Sequence, residues 1–156
     1  MPRVWLAQPQ EAEAVARLMA AFRDHLALDG PTDAEMLDGV ERLLGDADTE
    51  FLLGAAAGER APAGVAQLRY RYGVWRAGFD CLLEDLFVDA SARGAGLGRA
   101  LMEGILDRAR ARACRRVELD TNETNTAALA LYETFGFSAI ANSYGTRDLY
   151  LRLHLD

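Results

Sequence analysis

The chain contains no lysine; all 17 of its basic residues are arginine. A Walker-type phosphate loop needs a Gly-Lys pair, so that motif is excluded throughout the 156 residues. Cysteine is nearly as scarce. Cys81 and Cys114 have no metal-type spacing and read as free thiols of a reducing cytoplasm. The two histidines, His25 and His154, are too few and too far apart in sequence to suggest a metal site. No apolar run approaches the ~18 residues of a membrane-spanning helix. The opening Met1-Pro2-Arg3-Val4-Trp5 lacks the apolar segment and small-residue cleavage site of a signal peptide. The expectation is a cytoplasmic protein with no metal and no membrane partner. Positive charge is also in deficit: 17 bases against 24 acids leave a formal charge of −7. That balance argues against nucleic acid as the main partner and favours a cationic substrate.

What is present is an ordinary folding sequence, 51% hydrophobic and 26% charged, of a length that suits one domain over residues 1–156. Val15, Leu18, Met19, Phe22 and Leu26 recur at helical spacing and predict a helix over residues 9–28, stopped by Asp29-Gly30-Pro31. Thr32 and Glu35 form a capping box at the head of a second helix. Residues 50–56 and 63–72 read as strands joined through a turn-rich connection. The alternation of Gln67, Arg69 and Arg71 with Leu68, Tyr70 and Tyr72 predicts one wet face. Residues 79–88 make another strand, 97–112 a helix, 116–121 a strand and 125–135 a short helix ending at Gly136 in a left-handed cap. Residues 137–142 and 147–155 read as two closing strands, the second with Leu149, Leu151, Leu153 and Leu155 on one face. The order describes a mixed α/β domain centred on a βαβ unit.

The segment Arg93-Gly94-Ala95-Gly96-Leu97-Gly98 sits between the strand and the helix of that unit. A strand, a glycine-rich turn and a helix start aim several N–H groups and the positive end of a helix dipole at one point, which suits a phosphate. A dinucleotide fingerprint would need a third glycine or alanine five positions after the first. That position is Arg99 counted from Gly94 and Leu101 counted from Gly96, and Asp89-Ala90-Ser91-Ala92 separate the turn from the strand. A Rossmann-type site is therefore disfavoured.

Arg93, Gly96 and Gly98 match the pattern Arg/Gln-x-x-Gly-x-Gly/Ala. With the preceding strand and the later Asn125 … Leu131-Tyr132-Glu133-Thr134-Phe135-Gly136-Phe137, the chain resembles the GNAT superfamily of acetyl-CoA-dependent N-acetyltransferases. The resemblance implies a splayed central sheet of six to seven strands flanked by about four helices. It also implies acetyl-CoA as co-substrate, its pyrophosphate cradled by the backbone of Arg93, Gly94, Ala95, Gly96, Leu97, Gly98 and Arg99. The pantetheine arm would pair with one of two splayed strands, touching the backbone of Leu86, Phe87 and Val88, with the Val88 N–H polarising the thioester carbonyl. Asn125 would contact the cofactor. A homodimer formed through terminal strands is a habit of the family.

Acetylating an amine of pKa ~10.4 requires removing a proton, since at pH 7 only about one molecule in 2,500 is neutral. Glu84 resembles the glutamate that accepts it in some branches, and Leu83-Glu84-Asp85-Leu86-Phe87-Val88 looks like the diamine and polyamine branch, in which adjacent acids hold a cationic substrate. Strict alternation puts Glu84 and Asp85 on opposite faces, so Glu84 is the candidate base or substrate ligand and Asp85 a substrate contact. Tyr132 matches the family's proton donor to the leaving thiolate. Other readings are an acyl-CoA-binding regulatory module without turnover, or transfer to a peptide amine. Arg108, Arg110, Arg112, Arg115 and Arg116 read as solvated cations at a helix C-terminus. Cys81 and Cys114 read as buried filler, and Tyr70, Tyr72 and Trp75 as core or as walls of the acceptor site.

Overall fold

In Thr49–Ala55 every residue is buried, and Gly64–Gly73 is buried from its start through Leu68. Continuous burial along a strand means a sheet covered on both faces. The computed structural model describes residues 1–140 and 142–155, in two units that divide after Leu119. In the first unit, Met1–Leu119, the chain runs β1 (Arg3–Leu6), α1 (Ala12–His25), α2 (Asp33–Leu44), β2 (Thr49–Ala55), β3 (Gly64–Gly73), β4 (Gly78–Val88), α3 (Leu97–Ala111) and β5 (Val117–Glu118). The sheet order is β1-β2-β3-β4-β5. All its pairings are antiparallel except β4 with β5.

The helices α1 and α2 cover one face, where Val15, Leu18 and Val40 pack with Phe51, Leu53, Val65 and Phe87. The other face meets α3, whose Leu97, Leu101, Met102 and Ile105 are fully buried. Gly54 and Gly64 are register partners beneath it. A Cβ on Gly54 would stand 2.8 Å from Leu97 Cδ1, and one on Gly64 2.8 Å from Leu101 Cδ1. These two positions let the start of α3 lie close on the sheet. The α2 cap forms as expected, with Thr32 Oγ1 accepting from the Glu35 N–H at 3.2 Å and Glu35 Oε2 accepting from the Thr32 N–H at 2.9 Å.

Several expectations need correction. The predicted first helix is a 3₁₀ turn at Pro9–Glu11 followed by α1. The strand β1 gave too short an apolar signal to be read. Gln67 is buried, because two helices, not solvent, lie over that face, and the wet stretch of β3 begins only beyond Leu68. The strand predicted over 116–121 pairs only at Val117–Glu118. In the second unit, from Asp120 onward, α4 (Thr126–Thr134) is followed by Gly136 at φ 91°, with the Phe137 N–H returning to the Tyr132 carbonyl at 3.2 Å. That is the predicted left-handed cap.

The two predicted closing strands are absent among the described residues, so the sheet has five strands rather than six to seven. Ala141, within the first of them, lies outside the described residues. A period-two pattern marks two faces but does not supply a ladder partner. Here, among the described residues, the segments share one long backbone bond, from the Asp148 N–H to the Ala139 carbonyl at 3.3 Å, and a side-chain bond from the Asn142 amide to Asp148 Oδ1 at 3.1 Å.

Candidate active site

Pairing along β4 changes character half-way. Its ladder with β5 holds Cys81 opposite Val117 and Leu82 opposite Glu118, and ends there. Toward β3 the ladder continues to Val88. From Leu83 to Val88, β4 therefore has a strand on one edge only among the described residues, the open wedge expected of a splayed sheet.

Which groups point into that wedge follows from the hydrogen bonding. The Asp89 N–H donates to the Ala63 carbonyl at 2.8 Å, which makes the neighbouring pair, Val88 with Gly64, a non-hydrogen-bonded one. By alternation the N–H and C=O of Leu86 and Val88 face the open edge, while those of Phe87 pair with Val65. The Phe87 side chain is buried in the α1–α2 core, stacked on Phe22 with ring centroids 5.0 Å apart.

Register also places Glu84. Gln67 opposes Asp85 and Leu68 opposes Leu83, so Glu84 is an extra residue without a partner, a β-bulge. The bulge overrides the strict alternation expected of this strand. Asp85 shares a face with its partner Gln67 and with Phe87, whereas Leu83, also an odd-numbered position, is opposite Leu68 on the α3 face. The assignment of Glu84 and Asp85 to opposite faces thus loses its basis. Glu84 is exposed, and among the described residues its carboxylate has no protein hydrogen bond or ion pair. Asp85 is half-buried.

Beyond β4 a 3₁₀ turn, Ala90–Ala92, leads into the glycine segment. Gly94 and Gly96 have φ of 78° and 80°, a region that other residues enter only at a cost. Apart from the adjoining residues, no atom of the described residues lies within 4 Å of where a Cβ would stand on either, so their requirement within the protein is conformational and the space beside them is open. Among the described residues the N–H groups of Gly94, Ala95, Gly96, Leu97 and Gly98 have no protein acceptor, and no side chain caps α3. Unpaired neutral donors at a helix start, beside open space, fit a diphosphate. Arg99 lies in the first turn of the same helix.

In the second unit Asn125 occupies the N-cap position of α4 without making a side-chain cap bond, which leaves its amide for another partner. Tyr132 lies on the same helix and is buried, its ring edge-on to Phe137 at 6.0 Å. Burial raises the pKa of its phenol.

Three of the five arginines expected to be solvated cations, Arg108, Arg112 and Arg116, have buried carboxylate partners instead. Arg108 donates twice to buried Glu50, at 2.9 and 2.6 Å, and Tyr70 donates to the same carboxylate at 2.8 Å. Arg112 approaches Glu50 at 3.4 Å and lies over the Tyr70 ring at 4.1 Å. Arg116 donates to buried Asp80 at 3.0 Å. An acid inside the apolar run Glu50-Phe51-Leu52-Leu53 was the overlooked signal, since a buried carboxylate needs cationic partners. Tyr70 is therefore core, while Trp75 is almost fully exposed. Burial pushes the Cys81 thiol up to about 12, which suits packing and not nucleophilic work. No helix among the described residues is long and apolar enough to cross a membrane.

The sequence profile of the Acetyltransferase (GNAT) family matches residues 13–137, spanning both units. The chain belongs to that family. A crystal structure from Arthrobacter sp. FB24, provisionally described as an acetyltransferase, is 29% identical, with a TM-score of 0.86 over 99% of this chain and 96% of that one. An aminoglycoside N-acetyltransferase solved with CoA shares the fold at a TM-score of 0.79 and 18% identity, over 99% of this chain and 95% of its own. Among curated proteins, the mycothiol acetyltransferase of Beutenbergia cavernae is 52% identical over 36% of this chain and 19% of its own length. The [ribosomal protein bS18]-alanine N-acetyltransferase of Escherichia coli is 36% identical over 44% of this chain and 49% of its own. The chain thus spans from about a fifth to about half the length of these curated relatives. GNAT membership agrees with the motif reading, and the relatives' acceptors differ too much to name one here.

Proposed function

We propose that this protein is a single acetyltransferase domain. It moves an acetyl group from acetyl-CoA to a primary amine of a small cationic acceptor, by direct attack in a ternary complex. The observation that carries the reading is the open β4 edge, with the main-chain groups of Leu86 and Val88 facing it, continuous with the unpaired donors of the Gly94–Gly98 turn. The co-substrate supplies an activated acyl group as a thioester.

In this reading the turn holds the diphosphate and the Leu86 and Val88 groups align the arm that follows it. The Val88 N–H stabilises charge developing on the acyl oxygen. Glu84, exposed on its bulge, takes the proton of the ammonium or holds it beside Asp85. The role of Tyr132 rests on its place in the family pattern. As a phenol it carries the proton that the departing thiolate, of pKa ~8.5 by analogy with cysteine, must receive. The −7 charge and the Glu84-Asp85 pair favour a cationic acceptor.

Thiol release from acetyl-CoA, assayed against polyamines, aminoglycosides, amino acids and peptides, tests the proposal. Release stimulated by a small polyamine supports it. Stimulation by peptides alone moves the acceptor to a protein amine. Coenzyme A binding without any amine-dependent release leaves the regulatory module as the reading.

A further inference from the structure

The cradle described above uses only main-chain groups of the turn and leaves the Arg93 side chain without a task. The structure gives it one. Arg93 Nε donates to the Val88 carbonyl oxygen at 3.0 Å. That carbonyl faces the open edge of β4, as does the Val88 N–H. The bond joins the last residue of the strand to the first residue of the glycine segment.

The guanidinium is itself held. Its Nη2 lies 3.5 Å from Nδ1 of His25, the last residue of α1. Arginine has only donors, so a hydrogen bond between the two requires Nδ1 to accept. The His25 ring lies tilted 6.0 Å from Phe87, and the guanidinium carbon is 5.9 Å from the same ring. Phe87 is locked in turn against Phe22. Both members of the pair thus lean on a buried aromatic of the strand that they secure. Only a planar fork can serve the carbonyl with Nε and the imidazole with Nη2 at once.

We propose that Arg93 and His25 are positioning residues for the transfer step: the guanidinium fixes the Val88 peptide at the reacting edge, His25 fixes the guanidinium, and neither serves as a phosphate ligand. This rests on the reading of the β4 edge as the thioester site. It separates two properties that a phosphate-binding arginine would merge. Affinity for the cofactor stays with the turn, and alignment of the oxyanion donor depends on the tether.

The test uses Arg93→Ala, Arg93→Gln, His25→Lys and His25→Gln in the full chain. Three readouts are needed: the Kd of coenzyme A by calorimetry, kcat and KM with the most active amine, and amide hydrogen exchange at Asp89. Asp89 donates the last strand bond of β4 to Ala63. Arg93→Ala and His25→Lys are expected to keep the Kd within about twofold, lower kcat about tenfold or more as the donor loses its alignment, and speed exchange at Asp89. Arg93→Gln keeps the donor to Val88 but loses the contact with His25, so it should recover only part of kcat, whereas His25→Gln keeps an acceptor for the guanidinium and should recover most of it. A weakened Kd with kcat preserved would make the guanidinium a phosphate ligand and overturn the proposal. Variants that match the parent in all three readouts would overturn it as well. If the parent itself fails to bind coenzyme A, the reading of the site falls, and the exchange data still decide whether the tether exists.

Discussion

Gly54 and Gly64 face each other across β2 and β3, each with a leucine of α3 where its Cβ would be. This pair sets how closely the helix behind the glycine turn approaches the sheet. Gly64 is also the register partner of Val88, so one residue touches both the seat of α3 and the end of the reacting edge. Gly64→Ala should cost about 1–3 kcal/mol, because a methyl must displace Leu101 within a packed core. It should also weaken coenzyme A binding by shifting the turn. Urea denaturation and calorimetry check both effects.

The bulge separates the presence of Glu84 from its placement. Deleting Glu84 would bring Gln67–Asp85 and Leu68–Leu83 into a regular ladder. The deletion variant should fold and bind coenzyme A yet lose turnover about a hundredfold. Glu84→Gln keeps the bulge and removes the base, which should cost about 10²–10⁴ in kcat/KM and flatten the rise of rate with pH. An unchanged pH profile in Glu84→Gln would remove it as the base.

Tyr132 should act in the second half of the reaction. Burial raises its pKa, so the phenol stays protonated beyond the ordinary ~10 and no loss of the acid form is expected at lower pH. Tyr132→Phe should reduce kcat at least tenfold while leaving the Kd of coenzyme A unchanged. Equal kcat in the variant would assign the ring to packing against Phe137.

Two buried acids should titrate with opposite effects on stability. Burial acts to raise the Glu50 carboxyl, but the hydrogen bonds from Arg108 and Tyr70 outweigh it and hold the group below its usual range. Its contribution is full above the unfolded value of ~4.3 and is lost as pH falls through the lower folded value. Burial raises Asp80, so its contribution is full below ~3.9 and is lost as pH rises through the higher folded value. In denaturation between pH 3 and 7, Glu50→Gln should remove part of the acid lability. Asp80→Asn should gain relative stability toward neutral pH. Arg108→Ala should cost about 2–3 kcal/mol at pH 7, since it strips charged hydrogen bonds from a buried carboxylate.

Features carried by neighbours in sequence were legible in advance: the Thr32–Glu35 capping box, the Gly136 cap, and the strand, turn and helix around Gly94 and Gly96. Those that depend on register between distant segments were not. The Glu84 bulge exists only relative to Gln67 and Leu68, and it removes the regular alternation from which the relation between Glu84 and Asp85 was predicted. The Glu50–Arg108 pair joins β2 to α3 across 58 positions. In residues 147–155 the alternation is regular, yet among the described residues it meets no ladder, and Leu149 through Leu155 present their apolar face outward.

Amide chemical shifts recorded while acetyl-CoA is titrated into the labelled protein test the central claim most directly. The site proposed here predicts the largest changes at Gly94, Ala95, Gly96 and Gly98. It also predicts an alternating response along β4, with Leu86 and Val88 strongly affected and the inward-paired Phe87 amide much less so. Saturable binding whose shifts fall elsewhere, or are uniform along β4, would contradict it.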